Sequence, residues 1–264
     1  MILQEIDNLH AKLKTLRPLS AGEVARLNED FMIEYTYDSN AIEGSTLTLR
    51  ETYMVLKADI TIGEKPLSHH LEAVGHKDAF NYVCEMTRRA TELDTSTIKG
   101  IHSLVMASNR DIAGVYRNVD VRILGAVHTP PNHIKVSEML DELLVDYAEM
   151  KKNMHIVEAV SEFHLRFEGI HPFHDGNGRT GRLIMNFELI KAGLLPVNIK
   201  FTDRRKYYDC FDDYYGDKRT NSTLTNLISQ YEKERLEERV DTLIMADKSK
   251  RERAAETKNR GHER

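Results

Sequence analysis

Residues 171–182 read HPFHDGNGRTGR, which places two histidines, an aspartate, three glycines and two arginines in twelve positions. Pro172 biases His171 toward an extended conformation, so a helix should end there and present the imidazole from a turn. Gly176 and Gly178 admit positive φ angles around Asn177, and such a turn can aim consecutive amides into one concavity that holds an anion. A helix opening at about Arg179 would add its unpaired amides and its dipole to that attraction. Arg179 and Arg182 then lie on one helical face, where their charges oppose the dipole unless a polyanion is bound. Phosphate fits best. Asp175 is placed to hold Mg²⁺ that bridges phosphate oxygens, and His171 to take a proton from a hydroxyl nucleophile. This chemistry is phosphoryl or nucleotidyl transfer, driven by positioning and electrostatics.

Such a loop needs rigid supports. Before it, Ile156, Val160, Phe163 and Phe167 recur with steps of four, three and four, and Leu183, Phe187, Ile190 and Leu194 repeat those steps after it. Each set predicts a helix with one apolar stripe, and the two helices should pack on each other around the loop from His171 to Gly178. Upstream, Val24, Leu27, Phe31 and Tyr35 predict a helix that runs to Glu43 and stops at Gly44, and Thr48-Leu49-Arg50-Glu51 has the form of a capping box for the next. Two more helices are expected over Leu71 to Ala90 and Ser96 to Ser108. From Val119 to Val127 the period changes: Val119, Val121 and Ile123 alternate with Asp120 and Arg122 before Gly125, which predicts a β-hairpin at an edge guarded by Pro130 and Pro131. After Pro196 a helix should end near Gly216 and a last one should span Leu224 to Met245, leaving a polar tail from Lys248 to Arg264 that frays. The fold class is mainly all-α.

The 264 residues are 41% hydrophobic and 30% charged, enough for a substantial core in a soluble chain. A formal charge of -5 gives no overall bias toward nucleic acid. The two cysteines, Cys84 and Cys210, suit reduced core thiols and are too few for a cysteine-built metal centre. The opening residues MILQEIDNLH lack the pattern of a signal peptide, so a cytoplasmic protein without membrane spans is expected.

The motif resembles the signature of the Fic family, H-x-F-x-[DE]-G-N-G-R-x-x-R, at every specified position, and the resemblance extends over roughly residues 35 to 245. It implies a helical Fic fold with a small hairpin flap, and transfer of AMP from ATP to a serine, threonine or tyrosine hydroxyl of a target protein. In that arrangement residues 1–95 form an N-terminal helical region, 96–245 the catalytic core and 246–264 a polar tail. By position, His171 is the base, Phe173 the core anchor and Asp175 the Mg²⁺ ligand. Gly176, Asn177 and Gly178 form the phosphate nest, Arg179 and Arg182 meet the β- and γ-phosphates, and Thr180 and Gly181 complete the segment. Arg122, Ile123, Leu124 and Gly125 resemble the flap strand that lines the nucleotide and docks the target by strand addition. Tyr207 and Tyr208 resemble paired aromatics near adenine.

The stretch SNAIEG, Ser39 to Gly44, resembles the family's inhibitory signature [ST]-x-x-x-E-[GN], placed before the core as in the class II type. It implies that Glu43 pairs with Arg182 and takes the γ-phosphate's place. A glutamate at a helix C-terminus also gains from a cationic partner on dipole grounds alone. The resemblance further allows Glu43 to activate water for de-AMPylation, and self-modification or a homo-oligomer is compatible with it. Two other readings compete. His174-Asp175 is an HD dipeptide, so a metal-dependent phosphohydrolase would recruit His164 or His155. The tail, with seven basic residues against three acidic ones, suits an adaptor that binds a partner or nucleic acid.

Overall fold

Capping chemistry sets several of the helix starts. Ser20 accepts from the Glu23 amide while Glu23 reaches back to Ser20, and Thr48 and Glu51 repeat the arrangement. The computed structural model describes residues 1–16 and 18–262, with side chains except those of residues 21 and 249–262. In chain order the helices are α1 (Ile2–Thr15), α2 (Ala21–Ile42), α3 (Leu49–Ala58), α4 (Leu67–Arg88), α5 (Thr95–Val105) and α6 (Val136–Asn153). They continue with α7 (Ile156–Ile170), α8 (Asn177–Lys191), α9 (Arg204–Tyr215) and α10 (Ser222–His262). None of the described helices is long and apolar enough to cross a membrane. Both cysteines are free thiols.

Helix α8 is the hub, packed against α2, α4, α5 and α7. The sequence predicts one apolar stripe on it, yet Arg179 through Leu189 are all buried. The polar members of that run are inside because several have partners there: Asn186 bonds both the amide and the carbonyl of Val197, and Glu188 accepts from Tyr147 and Lys151. The turn after α2 is also as predicted. Gly44 adopts φ +102, and the Gly44 and Ser45 amides close back onto Ala41 and Asn40.

Two expectations are corrected. No strand pair forms over Val119 to Val127; the segment is irregular, with a turn in which the Ala126 amide bonds the Ile123 carbonyl and Gly125 takes φ +84. Its two arms are joined instead through the Asp120 carboxylate, which accepts from Asn132 and from the His133 amide. Pro130 and Pro131 offer no amides for a ladder, so alternation alone had no partner to pair with. The second correction concerns the tail: α10 continues to His262. Its lysines, arginines, alanines and glutamates are strong helix formers with no glycine before Gly261.

Candidate active site

The loop from His171 to Gly176 is held from below. Phe173 is fully buried and stacks on the His102 ring, with centroids 3.6 Å apart and planes at 3°. The Gly114 amide donates to His102 Nδ1 at 2.9 Å, so Nε2 carries the proton and donates to the Asp175 carbonyl at 2.9 Å. Burial pushes this imidazole down to about 4, which keeps it neutral and fixes that tautomer. Asn177 clamps Phe173 from the other side: its Oδ1 accepts from the Phe173 amide at 2.8 Å and its Nδ2 donates to the Phe173 carbonyl at 2.9 Å. Asn177→Ala should therefore destabilise the fold by about 2 kcal/mol or more, because two buried main-chain groups lose their partners. A urea midpoint unchanged from wild type would contradict this.

Arg117 ties the flap segment to the motif. Its buried guanidinium donates to the carbonyls of His171 at 2.8 Å, Val119 at 2.9 Å and Ile170 at 3.3 Å, and also to that of Pro131. His171 itself caps α7 in the left-handed region at φ 50.

Gly176 is the N-cap of α8 at φ 75, and no side chain caps that helix. Glycine is needed there for the angle, and a Cβ on Gly176 would lie 2.8 Å from Met106 Sδ, so Met106 would also have to shift. The uncapped first turn attracts an anion, and one is already there. A Cβ built on Gly178 would lie 2.2 Å from Glu43 Oε1, so the Glu43 carboxylate rests directly against the opening turn of α8. Arg182, only 1% exposed, donates from Nη2 to that same oxygen at 2.8 Å, and from Nε and Nη2 to the hydroxyl and carbonyl of Ser39 at 3.1 and 2.8 Å. Burial works against the Arg182 charge, and Glu43, with Tyr207 and Tyr35, more than offsets it, so its pKa is raised. Arg182 Nη1 is buried with no partner among the described residues, a donor still to be used.

These groups border a cavity of about 410 Å³ that is closed opposite by the turn Ile123–Ala126 and by Tyr207 and Tyr208 of α9. His171 opens into it, and burial pushes its imidazole down to about 4 against a smaller pull from the Glu168 carbonyl. The imidazole is therefore neutral and able to accept a proton across the physiological range. The Tyr207 hydroxyl meets His164 Nε2 at 2.7 Å, and its ring faces the Arg182 guanidinium 5.7 Å away.

A profile described as the Fic/DOC family matches residues 92–189. A protein of Nematostella vectensis named protein adenylyltransferase Fic is 32% identical over 212 residues, covering 79% of this chain and 49% of that protein. Its namesake in Culex quinquefasciatus is 30% identical over 208 residues, covering 78% and 41%. The chain belongs to the Fic family. It spans about half or less of the length of these relatives. A Fic domain-containing signaling protein of Bacteroides thetaiotaomicron superposes with a TM-score of 0.82 at 25% identity, covering 90% of this chain and 96% of that one. Residues 134–508 of Fic-1 from C. elegans share the fold at a TM-score of 0.77 and 24% identity, covering 91% and 70%.

Within this Fic domain the predicted residues divide. Glu43, Ile123, Leu124, Gly125, His171, Gly178, Arg182, Tyr207 and Tyr208 border the cavity. Arg122 is exposed, Asp175 is 64% exposed and does not line the cavity, and Thr180 and Gly181 are buried within α8. Arg179 does not share the Arg182 face. It turns toward Met106, Glu72 and Asp175, because neighbours on α4 and α5 direct the side chain more strongly than spacing does. The HD alternative does not assemble. His155 caps α7 beside Asp7, His164 is committed to Tyr207, and no metal-holding group of three such residues forms among the described residues. Sequence reasoning missed His128 and Glu168, both on the cavity wall, and the Arg117 tie. No local pattern marks any of them.

Proposed function

We propose that this chain transfers AMP from ATP to a hydroxyl side chain of a protein, and that Glu43 holds it in a resting state. The observation that carries this reading is a carboxylate lodged between the uncapped turn of α8 and Arg182, one cavity away from a neutral imidazole. An anion site filled by the protein's own carboxylate is a site built for anions. With Glu43 displaced, the amides of the first turn and the Arg182 guanidinium would receive the phosphates. His171 would take the proton of the incoming hydroxyl. The tyrosine wall gives an aromatic face for a nucleobase. Asp175 would hold Mg²⁺, whose charge neutralises phosphate oxygens; a single exposed carboxylate fits an ion that takes its other ligands from phosphate and water.

The segment from Val119 to Val127 suits the target. It has no ladder partner among the described residues, and Leu124 at its turn is 91% exposed. A target strand added along it would bring its hydroxyl toward His171.

Intact mass after incubation with ATP and Mg²⁺, with the chain alone or with candidate proteins, tests the reading. A nucleotide-sized gain supports it, and phosphate release without protein labelling opposes it. The pH dependence is also defined. On the acid side kcat/KM should hold its plateau well below pH 6 and fall only as His171 protonates near pH 4, since burial lowers that group. A pH-rate profile that breaks near 6.5 would contradict this assignment.

A further inference from the structure

Glu168 has no part in the mechanism above, yet it borders the same cavity from the last turn of α7, three residues before His171. Its position depends on a missing side chain: a Cβ on Gly181 would lie 2.4 Å from Glu168 Oε1 and 2.9 Å from His164 Cε1. Gly181 thus admits a carboxyl against the backbone of α8, just past the turn that meets Glu43. Oε1 is buried there without a hydrogen-bond partner among the described residues. A buried, unpaired carboxylate is costly, so its charge state must follow its neighbours.

Those neighbours come from every element around it. Arg182 approaches from α8, Glu43 from the end of α2, Tyr207 and Tyr215 from α9 and His128 from the flap segment, while His164 lies on α7 and His171 caps it. Burial pushes Glu168 up to about 8, Glu43 pushes the same way, and Arg182 opposes both. The histidines fall below their usual range, His164 to about 3 and His171 to about 4, and the tyrosines rise above theirs. Glu168 is the member of this set placed to change charge near or just above neutrality.

In the resting state Glu43 is the anion facing Arg182, and Glu168 is neutral. In a loaded state phosphate would be that anion. Between the two, with Glu43 gone and the cavity empty, Glu168 would be the carboxyl group left beside Arg182 among the described residues, and it would ionise as a stand-in counter-charge. We propose that Glu168 enters the nucleotide complex as a neutral acid, so that loading the unlocked cradle takes up one proton from solvent. This rests on the cavity being the nucleotide site.

Calorimetric titration of ATP with Mg²⁺ into Glu43→Gly, slightly above neutral pH and in two buffers of different ionisation enthalpy, measures that proton. Uptake approaching one proton per nucleotide is expected, with affinity falling by up to about tenfold per pH unit on the alkaline side. Glu43→Gly with Glu168→Gln should bind without uptake and with a flat pH profile, because glutamine keeps the shape and neutrality of the acid. Binding by Glu43→Gly with no uptake, or equal uptake by both variants, would overturn the role of Glu168 alone. Absence of ATP binding by both variants at every pH would instead remove the nucleotide site, and this inference with it.

Discussion

Glu43→Gly is expected to raise AMP transfer by about 100-fold, since an ion pair of about 3 kcal/mol suffices to hold the active arrangement near one molecule in a hundred. Two effects of the substitution act together. It removes the carboxylate that occupies the turn at Gly178, and it releases the Arg182 Nη2 donor from its 2.8 Å contact. Little else should change, because Glu43 is the C-cap of α2 and the next residue, Gly44, already closes that helix. The measurement is the initial rate of labelled AMP incorporation with wild type and variant side by side. Equal rates would mean that the carboxylate is displaced at no cost, and the resting-state reading would be lost.

The second large effect should appear at His171. In the Glu43→Gly background, His171→Ala should lower the transfer rate by about 10²- to 10⁴-fold, the usual contribution of a positioned general base. Nucleotide affinity should stay within about threefold, because the anion-holding groups are the amides of α8 and Arg182, not the imidazole. This split separates proton transfer from phosphate binding. The loop should survive the change, since its anchors are Phe173, Asn177, His102 and the Arg117 donation to the main-chain carbonyl of residue 171. A matching loss of affinity would place His171 in the cradle and remove it as the base.

What could be read in the sequence was local. The stop at Gly44, the cap at Thr48 and the helices on either side of the motif rest on signals within a few residues, and each is found in place. The start of α8 is two residues earlier than spacing suggests, because Gly176 in the left-handed region already serves as the N-cap. Features set by distant neighbours were not legible. Alternation at Val119, Val121 and Ile123 says which side chains share a face, but not whether a second strand exists to pair with. Arg179 and Arg182 look equivalent by spacing, and only the elements around α8 send one toward Met106 and the other toward Ser39. Glu168 and His128 carry no motif, and their relevance appears only once α7, α8, α9 and the flap segment enclose one space.

The double hold of Ser39 on Arg182 has a kinetic meaning. Were Glu43 to leave, the contacts from the Ser39 hydroxyl and carbonyl would still hold the guanidinium, which would need no search for its orientation before a ligand arrived. Under the proposed function, an incoming phosphate would replace one oxygen on one nitrogen of a group that is already aimed. Capture would then be an exchange of ligands at a stationary cation, with little conformational entropy to give up.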